Sequence, residues 1–478
     1  MKHFGLFSLF FGFWLLVGCT ADPGTEPGPP GENPPAAENP HAVPVEQALE
    51  ELQSVLEEID APAEDGAATR SGGVRRVKSV TTVSPEALSL GGTRSETTAN
   101  VEELLYIVNF EDEAGYAILG ADDRLEPVYA VIDEGSLTAE DFRYAVTVTP
   151  EQAEADGELV FPLQMVAQAA IIGIENADTD ADGGGVAPMS DDGRHTGDLG
   201  GDVLRREYVY VTQEKIGPLI PVKWGQSYPF NACCPLVHGQ YPLAGCTAVA
   251  LAQILASNYW HYGSAPSQIK KYTIDWNTIR RAIVSPSLLG IKYTGDKAYL
   301  NPLTPEGSAV AKLIAAVGNI VNMDYGLDGS GADLTDAQLG LCRYLNYQEV
   351  YTPKFNEKDV KAMIKDRQKP TMMSGFGYHT TTGKKAGHTW NLDGLFDRTR
   401  YIKTYYRNGT TSLKDPVPQT LIHCNFGWNG ICDGYYYFGN FDTTKAPADL
   451  EDEFDENLGT QPYNFKLDLR MMTYAKIS

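Results

Sequence analysis

Positive charge is scarce in this chain of 478 residues, which has 38 Lys and Arg residues against 63 Asp and Glu residues. The net charge of −25 argues against a nucleic-acid partner, because the phosphates would be repelled. The 8 histidines are scattered without the spacing of a zinc site, and neither a paired CxxC motif nor a phosphate-binding loop is present. We therefore expect no metal and no organic cofactor.

Long apolar runs are also missing. The run at residues 4–17 is too short to cross a bilayer comfortably, and it ends at Gly18 and Cys19, where polarity rises abruptly. This segment resembles a bacterial lipoprotein signal, which predicts removal of residues 1–18 and a lipid anchor at Cys19. The chain would then be exported as an outer-membrane or cell-surface lipoprotein. An ordinary secretory signal or a membrane anchor are the alternatives.

Three further segments precede the C-terminal half. Residues 19–70 are predicted to be a flexible tether, because Pro and Gly recur through 22–35. Within this range, residues 44–60 have helical spacing and many glutamates, so they are either a helix or a solvated acidic stretch. Residues 71–176 are predicted to form a small domain with strands near 104–110, 116–121 and 127–132 and a helix over 163–174. The Asp- and Gly-rich segment 177–204 is expected to be an exposed linker open to proteolytic maturation.

Cys246 begins a run of Ala, Val, Leu and Ile at helical spacing and directly follows Gly245. A helix N-terminus favours an anion, so the pattern predicts a stabilised thiolate that can act as a nucleophile. A buried structural cysteine at a helix–loop junction is the alternative. Only a matching base elsewhere in the chain would favour the nucleophile.

His388 is the best-placed base. It lies in the segment 386–394, which alternates like a strand and is predicted to end in a glycine turn at Gly394. It follows Cys246 by about 140 residues, within the interval of roughly 130–150 that is typical of papain-type Cys and His pairs. The segment 423–430 then supplies an amide and an indole that could fix and shield the imidazole.

Five blocks of this sequence resemble, in order, the streptopain family of bacterial secreted cysteine peptidases: 224–231, 245–248, 323–326, 387–388 and 425–430. The resemblance implies an α+β fold, with a papain-like two-lobed cysteine peptidase domain at 205–478 and a small α+β inhibitory pro-domain at 71–176. It implies a zymogen of a cysteine endopeptidase that acts on proteins or peptides and is blocked by its own pro-domain. A surface-tethered binding protein on an inactive peptidase fold, or transfer of the acyl group to an amine instead of water, are the alternatives.

By the same resemblance, Cys246 is the nucleophile, His388 is the general base and acid, and Gln226 is an oxyanion donor beside the Cys246 N–H. Asn425 and Trp428 would orient and cover the imidazole, while Gly387 and Ser330 would lie against substrate. For Gln226, Asn425 and the loop at Ser330, the alternatives are a loop glutamine, a turn former and a surface turn.

The chain departs from the family's pattern at Phe426, where a tryptophan is usual. Phenylalanine has no N–H to donate, so the histidine would be oriented by Asn425, by backbone carbonyls or by Trp428. Lower activity than in relatives is expected, and Phe426→Trp would test it. Besides Cys19 and Cys246 the chain has an odd number of cysteines, so the sequence leaves disulfide pairing open: Cys233, Cys234, Cys342, Cys424 and Cys432.

Overall fold

A computed structural model describes residues 41–61, 74–84, 103–147, 160–179, 203–294, 297–299, 302–327, 329–378, 385–413, 416–441 and 467–476. The described residues, which begin at His41, belong to one compact unit. Cys19, the predicted signal at 1–18, and most of the linker at 177–204 lie outside these ranges. None of the described helices is long and apolar enough to cross a membrane.

Helix α1, Val45–Ile59, occupies part of the segment predicted to be a tether. Its apolar residues recur every three or four positions and form one buried face, so it is a packed amphipathic helix. That face packs on strands of the N-terminal region and also on Phe396 and Leu421 of the C-terminal region. The buried residues of this face are Ala48, Leu52, Val55, Leu56 and Ile59.

The N-terminal region continues as an antiparallel sheet with two helices. The predicted strands and helix are found at nearly the expected positions, because each apolar run is continuous enough to be buried on both faces. The elements are β1 (Val77–Val83), β2 (Leu105–Phe110), β3 (Tyr116–Gly120), β4 (Val128–Ile132), α2 (Ala139–Thr147) and α3 (Val160–Thr179).

The next part of the chain is mainly helical. Its central helix, α4 (Cys246–Tyr262), is buried from Thr247 to Asn258 because it is apolar on every side. Helix α4 contacts α6 on one side and strand β12 on another. The other helices are α5 (Trp276–Val284), α6 (Pro305–Ile320), α7 (Leu334–Tyr344) and α8 (Glu357–Lys361), with short strands β6 (Gln268–Ile269), β7 (Tyr272–Thr273), β8 (Lys292–Thr294), β9 (Lys297–Tyr299) and β10 (Tyr347–Tyr351).

The C-terminal part supplies most of the remaining strands. They are β11 (Thr371–Tyr378), β12 (Lys385–Tyr406), β13 (Thr411–Leu413), β14 (Val417–Asn425), β15 (Gly434–Tyr437) and β16 (Leu467–Met471), and β5 (Val203–Ile216) also joins their sheet. Strand β17 (Thr473–Lys476) pairs with β10 in a separate two-stranded sheet. The predicted α+β class, with a helical part and a sheet part, is confirmed.

The prediction that the strand carrying His388 ends in a turn at Gly394 is wrong. Strand β12 continues to Tyr406, and its pairing with β14 shifts register between Leu392 and Gly394. A Cβ at position 394 would lie 2.7 Å from Cβ of His423. The glycine therefore permits a close approach of neighbouring chain within a strand and does not end it.

One sheet runs through both regions. Its order is β1-β2-β3-β4-β15-β14-β12-β11-β16, with β5 and β13 also paired to β12. Antiparallel pairing of β4 with β15, including Ile132 opposite Gly434, joins the N-terminal strands to the C-terminal ones. The N-terminal region thus adds directly to the sheet that carries His388.

Candidate active site

The predicted helix start at Cys246 is present, and Gly245 shapes it. Gly245 precedes the first residue of α4 with φ of +89°, a conformation that side chains with a Cβ rarely adopt. A Cβ there would also lie 2.5 Å from Sδ of Met323. Gly245 therefore lets the chain turn into the helix and lets the 323–331 segment approach the cysteine.

The first turn of α4 meets β12 beside His388. Cys246 begins α4, and Thr389, the residue after the histidine, is among the groups that lower the pKa of its thiol. Oγ1 of Thr247 lies 3.2 Å from Oγ1 of Thr389. The structure therefore brings the two residues predicted as nucleophile and base to the same junction between the helical part and the sheet.

The imidazole of His388 is fixed by a backbone carbonyl. Its Nε2 lies 2.9 Å from the carbonyl oxygen of Phe426. A carbonyl oxygen only accepts, so Nε2 carries the hydrogen, and Nδ1 bears the lone pair of the neutral ring. The indole of Trp428 stacks on the imidazole with ring centroids 4.3 Å apart. The ring is thus both oriented and covered.

Burial controls the protonation of this pair. It lowers the pKa of His388 to about 4, against the smaller raising effect of the Phe426 carbonyl. It also raises the pKa of the Cys246 thiol, although hydrogen bonds with Thr389 and Thr247 oppose the rise. A thiolate stabilised by the helix N-terminus stays a prediction, since burial and the surrounding hydrogen-bond donors shift the pKa of Cys246 in opposite directions.

Asn425 supports the histidine through the backbone of the neighbouring loop. Its Nδ2 donates to the carbonyl of Val222 at 2.9 Å, and its Oδ1 accepts from Gln253 at 2.9 Å and from the Gly427 N–H at 3.2 Å. That N–H belongs to the peptide group whose carbonyl accepts from His388. Asn425 thus holds the peptide that holds the imidazole.

Phe426 contributes mainly its backbone. Its ring centroid is 6.3 Å from that of His388 and 5.2 Å from that of Trp428, so Trp428 is the closer cover. Among the three sources of orientation considered for His388, the structure supplies a backbone carbonyl.

Asp433 was not identified from the sequence. Its Oδ1 accepts the N–H of Phe426 at 2.8 Å, and the side chain is buried. Burial raises its pKa to about 7, although the Phe426 bond and His423 lower it. The only signal in the sequence was a polar residue between the turn and strand β15, which is no more than a common turn pattern.

Three other predicted residues lie around this junction. The carbonyl of Gln226 accepts from the N–H of Ala244 at 2.9 Å, which places Gln226 beside the entry to α4. The carbonyl oxygen of Ser330 would lie 3.3 Å from a Cβ on Gly245. Gly387 is exposed, directly before His388 in β12. All three positions are compatible with the roles expected of them.

The cysteines that the structure describes are thiols, including Cys424 and Cys432, which are both buried. Within the described ranges, one group has the spacing to hold a metal ion: His41, Asp122 and Asp123. Both carboxylate oxygens of Asp122 already accept from the guanidinium of Arg124, at 2.8 Å each. This group belongs to the N-terminal region and has no part in the junction around Cys246.

Comparison with known proteins finds a family match over the residues of this junction. Residues 224–436 match the model of the Peptidase C10 family. Streptopain of Streptococcus pyogenes is 25% identical over 239 residues, which cover 45% of this chain and 53% of streptopain. The chain thus spans about half the length of that relative. The thiol protease/hemagglutinin PrtT of Porphyromonas gingivalis is 23% identical over 376 residues, 76% of this chain and 37% of PrtT.

Solved structures give two similar chains. A fragment of Prevotella intermedia prointerpain A is 19% identical, covers 84% of this chain and 100% of its own, and has a TM-score of 0.44. Active interpain A from the same organism is 23% identical, covers 54% of this chain and 94% of its own, and has a TM-score of 0.35. The residues that match the Peptidase C10 model include Gln226, Cys246, His388, Asn425 and Trp428, so this part of the chain is similar to the cysteine peptidases of that family.

Proposed function

We propose that this protein is a cysteine endopeptidase that is made as a zymogen and hydrolyses peptide bonds of proteins or peptides. The observation that carries the proposal is the junction of α4 with β12, where Oγ1 of Thr247, the residue after Cys246, lies 3.2 Å from Oγ1 of Thr389, the residue after His388. The hydrogen on Nε2 and the cover of Trp428 leave Nδ1 as the nitrogen suited to take the thiol proton.

The reaction starts with a proton transfer between the two side chains. Nδ1 of His388 takes the thiol proton as Sγ of Cys246 attacks the peptide carbonyl carbon, and a tetrahedral oxyanion forms. The Cys246 N–H and the Gln226 side-chain amide donate to that oxyanion. The imidazolium then gives its proton to the departing amine, which leaves a thioester. His388 next accepts a proton from water, which attacks the thioester and releases the acid and the thiol.

Labelling with an epoxide cysteine-protease trap tests this assignment. The full chain, cut within 177–204, is incubated with the trap, and peptide mapping finds the modified residue. Modification of Cys246 that falls at least tenfold in His388→Ala supports the proposal. Equal labelling of the described cysteines, or no loss in His388→Ala, would favour a binding protein on an inactive peptidase fold. The mass of products from a short peptide separates transfer to water from transfer to an amine.

The N-terminal region is proposed to be the inhibitory pro-domain. Its strand β4 pairs with β15, which follows the Phe426 loop, and Asp133 donates its N–H to the carbonyl of Asp433 at 2.9 Å. Oδ2 of Asp133 also lies 3.4 Å from Nε2 of buried His423. Cleavage within 177–204 would separate this region from the peptidase domain. The uncleaved chain should then hydrolyse casein far more slowly than the chain cut in that linker, and equal rates would reject the zymogen.

Export and anchoring rest on the sequence. Cys19 is proposed to carry the lipid, because the apolar run at 4–17 ends at Gly18 and Cys19, where polarity rises abruptly. Metabolic labelling with a radioactive fatty acid should mark the wild-type chain but not Cys19→Ser. Equal labelling of both would exclude lipidation at this residue.

A further inference from the structure

Gln253 lies on the same helix as the nucleophile and is fully buried. Positions 246 and 253 are seven residues apart, or about two helical turns, so both side chains project from similar faces of α4. A fully buried primary amide is costly unless its donors and acceptor are satisfied. Its hydrogen-bond partners therefore show whether it only stabilises the core or also connects parts of the active site.

Those partners come from three different parts of the peptidase domain. Nε2 of Gln253 donates to Oδ1 of Asn425 at 2.9 Å and lies 3.4 Å from the carbonyl of Trp224. Its Oε1 accepts from Nδ2 of Asn391 at 2.9 Å. Asn391 is in β12, three positions after His388, and it also donates to the carbonyl of Ala250 in α4 at 3.0 Å.

The same contacts continue to the base. Oδ1 of Asn425, which accepts from Gln253, also accepts from the Gly427 N–H at 3.2 Å. The carbonyl of that peptide group, on Phe426, is 2.9 Å from Nε2 of His388. Four hydrogen bonds thus connect Asn391, Gln253, Asn425, one peptide group and the catalytic imidazole.

The contact with Trp224 connects Gln253 to the segment that contains Gln226, the proposed oxyanion donor. Trp224 is buried and stands two positions before Gln226, whose own carbonyl is bonded to Ala244. Gln253 is itself part of the helix that begins at Cys246. Its bond to Asn425 connects it to the loop that holds His388, and its contact with the Trp224 carbonyl connects it to the segment that contains Gln226.

From this geometry we propose that Gln253 is a positioning residue, which sets the distance and orientation between Cys246, His388 and Gln226 without touching substrate. The proposal rests on the proposed peptidase function. Its chemistry requires an amide, because the position needs one donor group toward Asn425 and one acceptor toward Asn391. Methionine has a similar length but cannot donate to Asn425, and a carboxylate would oppose the Asn425 oxygen.

A purely structural role is the competing explanation. Loss of an amide from a packed core lowers stability wherever it lies, and that alone can lower activity. Asn258 provides a matched control, because it is on the same helix, is 1% exposed and donates to the Tyr347 hydroxyl at 2.7 Å. Among the described residues, the hydrogen bond of its side chain is to Tyr347 and not to the Phe426 loop.

The experiment measures inactivation by the epoxide trap at Cys246 in the full chain cut within 177–204, resolved into a maximal rate and a binding constant. We expect Gln253→Met to lower the maximal rate at least tenfold and to change the binding constant less than twofold. Asn258→Leu should lower the melting temperature by a similar amount yet leave the maximal rate within twofold of wild type. If Gln253→Met fails to fold, Asn391→Leu, which removes the donor to Gln253, is measured in its place with the same expectation.

A double variant separates position from stability. If Gln253 acts through Asn425, then Gln253→Met and Asn425→Leu together should slow inactivation little more than Asn425→Leu alone. Multiplied effects, or a Gln253→Met rate equal to that of Asn258→Leu, would overturn the inference. Equal labelling of wild type and His388→Ala would instead show that the proposed function itself had failed.

Discussion

At the scale of single residues, burial determines the chemistry of the site. The residue types could be predicted, since a cysteine after a glycine at a helix start and a histidine in a later strand are visible in the sequence. Their protonation could not, because it depends on how completely Trp428 and the surrounding chain exclude water from His388. Asp433 and Gln253 were missed as site residues because they bond to backbone and amide groups, whose positions only the fold determines.

Removal of the indole over His388 should shift the pH dependence of the enzyme. Burial holds the pKa of His388 down at about 4, so Trp428→Ala, which admits water, should raise it toward its ordinary value. The acid limb of kcat/KM then moves to higher pH, and kcat falls by about tenfold as the ring loses its fixed orientation. A pH–rate profile of both proteins checks this, and an unmoved acid limb would contradict it.

Phe426→Trp should not improve the enzyme. Phe426 is fully buried against Trp390, Trp428 and Tyr436, and its carbonyl already holds the imidazole. The larger ring is expected to overpack this cluster and cost about 1–3 kcal/mol of stability, with no gain in acylation rate. Urea unfolding and burst kinetics measure the two effects. Faster acylation would restore the view that an indole N–H is needed here.

The carboxyl of Asp433 should act as a hydrogen-bond acceptor more than as a charge. Asp433→Asn keeps an oxygen for the Phe426 N–H and should retain activity within about threefold, whereas Asp433→Leu leaves that buried N–H unsatisfied, at a cost of about 1–3 kcal/mol. The peptidase activity and the free energy of unfolding of the two variants test this. Equal losses in both variants would show that the charge matters.

At the scale of elements, the period of the apolar pattern predicted three strands and a helix of the N-terminal region, the helix at Cys246 and the strand of His388, and close contacts between elements account for the errors. Strand β12 runs through Gly394 because a neighbouring strand packs against it there, a contact between residues distant in sequence. Helix α1 was left open as helix or acidic stretch, because only its docking on the sheet distinguishes the two.

Helix α1 should contribute strongly to the stability of the full chain. Leu52 is buried between the helix and the sheet, so Leu52→Ala should cost about 2–5 kcal/mol. Gln53 is the next residue on the same helix and is exposed, and Gln53→Ala should change stability by less than about 0.5 kcal/mol. Chemical denaturation of the full-length variants compares them, and similar values would mean that α1 is not docked in solution.

At the scale of the whole molecule, one sheet joins the predicted pro-domain to the peptidase domain, and a buried histidine lies where they meet. Burial lowers the pKa of His423, but Asp393 and Asp133 outweigh it and raise the pKa to about 10. Nδ1 of His423 is 2.6 Å from Asp393. The sequence could not indicate that His423 is paired with Asp393 and Asp133, because the three residues come from distant segments.

The stability that His423 contributes should fall as the pH rises. Its folded pKa of about 10 lies above the ordinary value of 6.5, so the contribution is complete below about pH 6.5 and is lost as pH rises through 10. The melting temperature of wild type should therefore exceed that of His423→Gln most at pH 6 and least near pH 10. A difference that grows with pH would contradict the charged histidine.

The most direct test of the central claim, that Cys246 and His388 act together, is hydrolysis of a short fluorogenic peptide. Wild type, Cys246→Ala, His388→Ala and the double variant are each cut identically with trypsin in the 177–204 linker, after which the trypsin is inhibited. Each single variant should lose about 10³-fold or more in kcat/KM, and the double variant should be no worse than the singles, because residues that act as a unit are not additive. Retention of wild-type kcat/KM within about threefold by His388→Ala, or losses that multiply in the double variant, would contradict the account.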